Sequence, residues 1–485
     1  MLSSSILLDY EDLKARSSVE STEIHAFDDI KQLIEENEGQ HSSTLPQASF
    51  NFINSIIGSG VIGIPYALHQ AGFGLGLFLL IFVAFVTDYS LILMVRCGHL
   101  CGRFSYSGVM ECAYGRPGYY FLSLLQFVYP FIAMVSYNVA VGDTLTKVLI
   151  RLLSLDEDSL LADRHFIVLV CTVSIVTPLC LYRDVARLAR VSFASLACVA
   201  FILVTVIYKM VSGEYDIVPH GKDSWSFANS DIVPAIGIMA FAFMCHHNTF
   251  LVYGSIAGAT QSRWDKVTHS SVFCALVVAA LFGVAGYATF TSHSQGDLLE
   301  NYCWDDDLIN FSRILFSISI LLTFPIECFV TREVLHSVIG GNVIAGSTPL
   351  PAIGGQNSSE DNDSDNWGHK GLTLGIIAAA CLISTATDCL GPVLELNGVL
   401  AAVPLAYILP GLAYLRLEQG GIFARHKLPA LGLALFGLFV ALLGLAFLFV
   451  NFDTVDTCTH GKVMKYCLHN ETLSTTMTTI IKGRP

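Results

Sequence analysis

The chain has 485 residues, 53% of them hydrophobic and only 14% charged, with a mean hydropathy of +0.60. A soluble domain carries roughly 25% charged residues, so this composition excludes a soluble enzyme or binding module and calls for an integral membrane protein. The net charge of −14 is no evidence for a cationic substrate, because residues 1–47 hold ten acidic and three basic residues and so carry half of it.

Residues 1–47 have little apolar content and read as a disordered, solvated cytosolic tail. No basic stretch followed by a short apolar core opens the chain, so no cleaved signal peptide is expected and the first span directs insertion. About 20 apolar residues cross a bilayer core of about 30 Å. Eleven segments qualify, at approximately 48–69, 75–96, 119–150, 165–182, 190–211, 232–255, 270–291, 308–331, 371–389, 393–416 and 428–451. The predicted layout is a ten-span core over 48–416, an eleventh span within 417–451 and a C-terminal tail over 452–485. The stretch 340–370, with its GGQNSSEDNDSDN, reads as a flexible cytosolic linker inside that core.

Span one carries the main signal. Phe50 to Ala67 reads FNFINSIIGSGVIGIPYA, apolar enough for a bilayer yet interrupted by Gly58, Ser59, Gly60, Gly63 and Pro65. Glycine and proline cost a helix about 1 and 3 kcal/mol relative to alanine. In hydrocarbon the freed backbone groups must find partners, which confines such a break to a buried site or a polar cavity. The competing reading is a close-packed helix interface of small residues. Asn51 and Asn54 sit three apart on one face before the break, where an amide can support unwound backbone. Span three offers Tyr137 and Asn138, to a cavity or to packing.

Five spans precede the polar stretch 209–231 and five follow it, so inverted five-span repeats would pair span six with span one. Span six is also disrupted at its centre, by Cys245, His246, His247, Asn248 and Thr249. Interrupted segments at corresponding positions of two halves point to a transporter's central site. The two histidines are adjacent and diverge by about 100° on a helix of 3.6 residues per turn, which does not suit a metal pair. One of them can face the cavity as a hydrogen-bonding or titrating group, or bridge helices. In span eight, Thr323 precedes Pro325, and the carbonyl freed one turn back plus a hydroxyl suit a hard cation such as sodium. A threonine-supported proline kink is the alternative. Glu327, Arg332 and Glu333 read as a gate or interface salt bridge near the cytosolic end of that span.

With the N-terminus inside, the cytosolic side holds sixteen Lys and Arg against eight on the other side, which satisfies the positive-inside rule. The C-terminus is therefore expected outside, where Cys458 and Cys467 can close a short loop and Cys303 stays free or pairs elsewhere. Of the sequons at Asn310, Asn357, Asn362 and Asn470, only Asn470 is expected to carry glycan.

FNFINSIIGSGVIGIPYAL, MAFAFMCHHNTFLVY, CFVTREV, LELNGVL and CTHG…YC together resemble the sodium-coupled neutral amino acid transporter family, within the amino acid and auxin permease group. The likeness runs from about residue 48 to 467. It implies an all-α membrane fold of eleven transmembrane helices, two inverted five-helix repeats with helices one and six broken, plus one extra helix. It implies sodium-coupled transport of neutral amino acids, with proton antiport as a further expectation, in the plasma membrane or an endolysosomal membrane. No cofactor is implied beyond sodium as coupling ion. By the same resemblance, Gly58, Ser59 and Gly60 hold the substrate carboxylate, Tyr137 faces it, and the backbone of Met244, Cys245 and His246 takes the ammonium. Sodium falls between Asn54 and the Ile57 carbonyl of span one and Ser319, Ile320 and Thr323 of span eight. The family commonly has CHPE where this chain has CHHN, so His247 and Asn248 leave selectivity and proton coupling open. A proton-driven permease without sodium and a non-transporting amino acid sensor are the alternatives.

Overall fold

The computed structural model describes residues 43–154, 159–181, 192–216, 218, 224–339, 363–387, 389–450, 464, 466 and 467. Among these residues the secondary structure is helical, with one isolated bridge between Ser43 and Ile256. Among the described residues nine helices are long and apolar enough to cross a membrane, and a bent pair passes the same test as one unit. A shorter apolar helix over Lys370–Thr385 stands at the ninth expected position. The chain is a multi-pass membrane protein. The expected glycan site Asn470 lies outside the described residues, as do the sequons at Asn357 and Asn362 and Cys458.

The bent pair is α1 (Leu45–Ile56) and α2 (Ile64–Ala71), related by 50°. Between them Ile57 leaves helical geometry at φ −79°, ψ 87°, and Gly58 is extended at φ −116°, ψ −157°. A single 3₁₀ turn, Ser59–Gly63, then restarts the chain, and Pro65 opens α2, where its missing N–H costs nothing. After α2, Gly72 turns the chain at φ +85° with a Cβ position only 2.6 Å from the Ala228 Cα, so glycine is required there.

The following helices are α3 (Phe73–Cys101), α4 (Tyr106–Leu153), α5 (Arg164–Leu181) and α6 (Ser192–Ser212). The sixth expected span is broken as the first is. Its halves α7 (Ile232–Ala242) and α8 (Thr249–Ser255) flank Phe243–Cys245 and a 3₁₀ turn, His246–Asn248. Then come α9 (Gln261–Phe290), the short α10 (Leu298–Asn301), α11 (Asp307–Ile339), α12 (Asp363–Thr385), α13 (Leu390–Leu417) and α14 (Leu428–Val450). The buried α7 packs on α2, α13 and α14, while α11 packs on α4 and α6.

The pairing of Cys458 with Cys467 does not form. Cys467 is bonded to Cys303, 164 residues away, with the Cα atoms 5.6 Å apart. The reason is tertiary: Tyr466 donates its hydroxyl to the Asn301 carbonyl and lies 6.3 Å from the Phe290 ring, which delivers its neighbour to Cys303. Cys389 is also disulfide-bonded. The Asn310 sequon is closed to glycan, since its buried amide donates to the Trp304 carbonyl at 2.7 Å and accepts from Arg313 at 2.6 Å.

Candidate functional site

The two breaks meet. A Cβ at Gly60 would stand 2.8 Å from the Ala242 Cα, so the turn after the first break rests on the last residue of α7. Asn248 donates to the Ser55 hydroxyl at 2.6 Å, tying the second break to the end of α1. Gly58 faces the other way: it is exposed, and a Cβ there meets nothing within 4 Å. Tyr137, buried in α4, is hydrogen-bonded to Ser59. Gly58, Ser59 and Tyr137 thus border one space, with Gly60 behind them.

Met244, Cys245 and His246 are buried beside it. The His246 Nε2 lies 3.2 Å from the Ser90 hydroxyl, which itself donates to the Ala406 carbonyl. Ser90 is therefore the acceptor from Nε2–H, and His246 bridges α3, α13 and the break. His247 is the half-buried histidine, 5.8 Å ring to ring from Tyr129, its Nε2 accepting from Asn248 at 3.0 Å. Tyr129 and the Asn248–Ser55 link were not singled out from sequence, because a tyrosine or asparagine in an apolar run carries no sign of which face it takes.

The expected sodium ligands form two groups. On α11, Thr323 donates its hydroxyl to the Ser319 carbonyl at 2.8 Å, and the Ser319 hydroxyl lies 2.6 Å from that of Ser195 on α6. Ile320 is buried next to them. Asn54 and Ile57 belong to α1 and its break, and α6 packs against both α1 and α11. Ser195 is an additional oxygen that no sequence pattern marked. Arg332 pairs with Glu333 at 3.6 Å as expected, but Glu327 is not part of that bridge.

On the side of the Cys303 disulfide, residues 294–303 pack against the first break as a plug. Gly296 touches the backbone of Gly391 on α13, and its carbonyl lies 3.6 Å from a Cβ placed at Gly63. Arg313, fully buried, donates to the carbonyls of Leu299, Tyr302 and Cys303, the shortest contact being 2.6 Å to Tyr302. Lys147 donates to the Glu300 carbonyl at 2.6 Å, and Asp143 pairs with Arg164 at 2.5 Å. Charged groups inside apolar spans are costly and mark function by default. The spacing of Asp143 and Lys147, four apart on one helix face, was the available signal for this plug.

Asp297 gives the plug a pH response. Burial first, and then the neighbouring charge of Glu300, push its carboxyl up from 3.8 to about 7, against the opposing effects of the Leu299 amide, Lys147 and Arg313. The closed plug therefore binds this proton more tightly than an open one. Its closure is favoured fully below the ordinary value, and the preference is lost as pH rises through about 7. Amide hydrogen exchange over residues 295–303, corrected for intrinsic rates, is expected to be slower at pH 6 than at pH 8. Asp297→Asn should remove that difference.

A family model described as "Transmembrane amino acid transporter protein" matches residues 41–450. The chain belongs to that family. Membership makes it a transporter of the amino acid class and not an enzyme. It is 45% identical to "Putative sodium-coupled neutral amino acid transporter 11" of Danio rerio, over 90% of this chain and 92% of that protein. The protein of the same name from Homo sapiens is 40% identical over 82% of this chain and 93% of its own length. "Vacuolar amino acid transporter 2" of Saccharomyces cerevisiae is 28% identical over 90% of this chain and 88% of its own. Among solved structures, an Eremococcus coleocola manganese transporter mutant superposes with a TM-score of 0.51 at 12% identity, covering 90% of this chain and 92% of that one. At that identity the likeness concerns the fold.

Proposed function

We propose that this transporter is a secondary active carrier of neutral amino acids, coupled to sodium, that works by alternating access around the two broken helices. The observation that carries the reading is the meeting of the breaks at Gly60 and Ala242, beside an open space at Gly58 and beneath a closed plug. The amides of the 3₁₀ turn at Ser59 and Gly60 suit a carboxylate, with span-six backbone from Met244 to His246 facing the ammonium. The fold is read as eleven spans, with two inverted repeats of five and one extra, and proton counter-flow is a further part of the proposal. The decisive test is radiolabelled amino acid uptake with sodium replaced by choline. Undiminished uptake would favour the proton-driven permease, a reading encouraged by His247 and Asn248 in the second break. Ligand binding without uptake would favour a sensor.

Thr323 tests the ion. Its hydroxyl donates to Ser319, which leaves its oxygen lone pairs for a cation alongside Ser195 and Asn54. Thr323→Ala should raise the sodium concentration for half-maximal uptake roughly five- to 150-fold, corresponding to about 1 to 3 kcal/mol, with substrate affinity much less affected. Thr323→Ser should keep most of the affinity. Identical sodium dependence in wild type and Thr323→Ala removes this residue from the ion site.

The orientation proposed is N-terminus cytosolic and C-terminus extracytosolic, supported by the basic-residue bias and by the disulfide on the opposite face from Ser43. Asn470→Gln is expected to abolish a glycosidase-sensitive gel shift that Asn357→Gln leaves intact. The reverse pattern inverts the topology.

A further inference from the structure

We propose that Glu327 is the counter-charge for an ammonium group of the transported amino acid, in a subsite walled by Tyr129 and Tyr137. The inference rests on the transport reading above and deepens it by naming the group that recognises the substrate's cationic end.

Glu327 lies within α11, two residues beyond Pro325. It is half-buried within an apolar helix. Helix α11 packs along α4, the helix that carries Tyr129 and Tyr137. Tyr137 also reaches Ser59 at the first break, and Tyr129 lies 5.8 Å from both His247 and Phe241. Phe324, one turn before Glu327, is 6.4 Å from Tyr137. The carboxylate therefore belongs to the same space as Gly58 and Ser59.

Its lack of a partner separates it from the other buried charges. Asp143 has Arg164, Lys147 has Glu300, and Arg313 has three carbonyls and the Asn310 amide oxygen. Glu327 has no hydrogen bond or ion pair to its carboxylate among the described residues. The basic residue five positions on, Arg332, is engaged by Glu333, by Thr373 at 3.3 Å and by the Phe329 ring at 5.1 Å. A carboxylate withdrawn from water without a cation is costly, so the site gains free energy when one arrives.

The surroundings select the kind of cation. Sodium asks for several oxygen ligands together, and those lie at Ser319, Thr323 and Ser195, one to two turns away. A single carboxylate among aromatic faces suits an organic ammonium, which the rings attract through their quadrupoles. That ammonium can be the α-amino group of any amino acid or the side-chain group of a basic one.

Uptake of labelled alanine and labelled lysine by wild type, Glu327→Gln and Glu327→Asp, each normalised to surface protein, separates these sources. Glu327→Gln should raise KM about tenfold or more, the size of a lost charge-assisted hydrogen bond, while Glu327→Asp should retain most of the affinity. A loss shared by alanine and lysine assigns the α-ammonium, and a loss confined to lysine assigns the side chain. Unchanged KM for both overturns the proposal. So does a change confined to sodium or pH dependence, which would give the carboxylate to the coupling ion. If wild type takes up neither amino acid, the transport reading fails. Thermal stabilisation of the purified protein by alanine or lysine then still decides the subsite, being lost in Glu327→Gln if it exists and retained if it does not.

Discussion

Gly60→Val is expected to abolish amino acid uptake while leaving the protein at the cell surface. The position has no spare volume: the first added carbon would lie 2.8 Å from the Ala242 Cα and 3.0 Å from the Phe241 ring. Relief requires the two broken spans to separate where their breaks touch. Overpacking of this kind costs about 1 to 3 kcal/mol, which is roughly a five- to 150-fold loss if it falls on the substrate-competent arrangement. Gly58→Ala is the control that separates packing from binding. Its Cβ meets nothing within 4 Å and its backbone is extended, so the fold tolerates it. The methyl group instead enters the open space and should raise KM with little change in maximal rate. Normal KM in Gly58→Ala would mean that the space beside the break is not where substrate sits. Normal uptake in Gly60→Val would mean that the contact between the breaks is dispensable.

Arg164→Leu is expected to cost more stability than any other single change considered. Asp143 and Arg164 are both buried, 2.5 Å apart, and Arg164 also reaches the Thr387 carbonyl. Removing the guanidinium strands a carboxylate next to Glu300 and Asp297, at a cost of about 3 to 5 kcal/mol. Replacing both residues by leucine removes the stranded charge together with its partner and should recover most of that loss. The measurement is thermal unfolding of the purified proteins in detergent, arranged as a double-mutant cycle. A coupling close to zero would show that the pair does not act as a unit. The same cycle reads the plug, because Asp143 and Lys147 present successive turns of α4 to it.

The sequence by itself determined that the chain is a membrane protein, where its apolar segments lie, and that the first and sixth of them are interrupted. These properties are local. Apolar runs partition into lipid whatever they later touch, Gly58 and the CysHisHisAsn run are poor helix formers wherever they stand, and Pro65 is tolerated only in a helix's first turn. The family was legible for the same reason, since its motifs are contiguous around those breaks. What only tertiary structure decided is every property that depends on which face of a helix meets which neighbour. It brought Gly60 to Ala242, turned His246 toward Ser90 and set His247 against Tyr129 and Asn248. Spacing made Glu327 look like a partner of Arg332, but Arg332 is taken by Glu333, Thr373 and the Phe329 ring instead. Cys467 bonded Cys303 and not its close neighbour in sequence, because loop closure over a few residues is weaker than the docking of Tyr466 against Asn301 and Phe290.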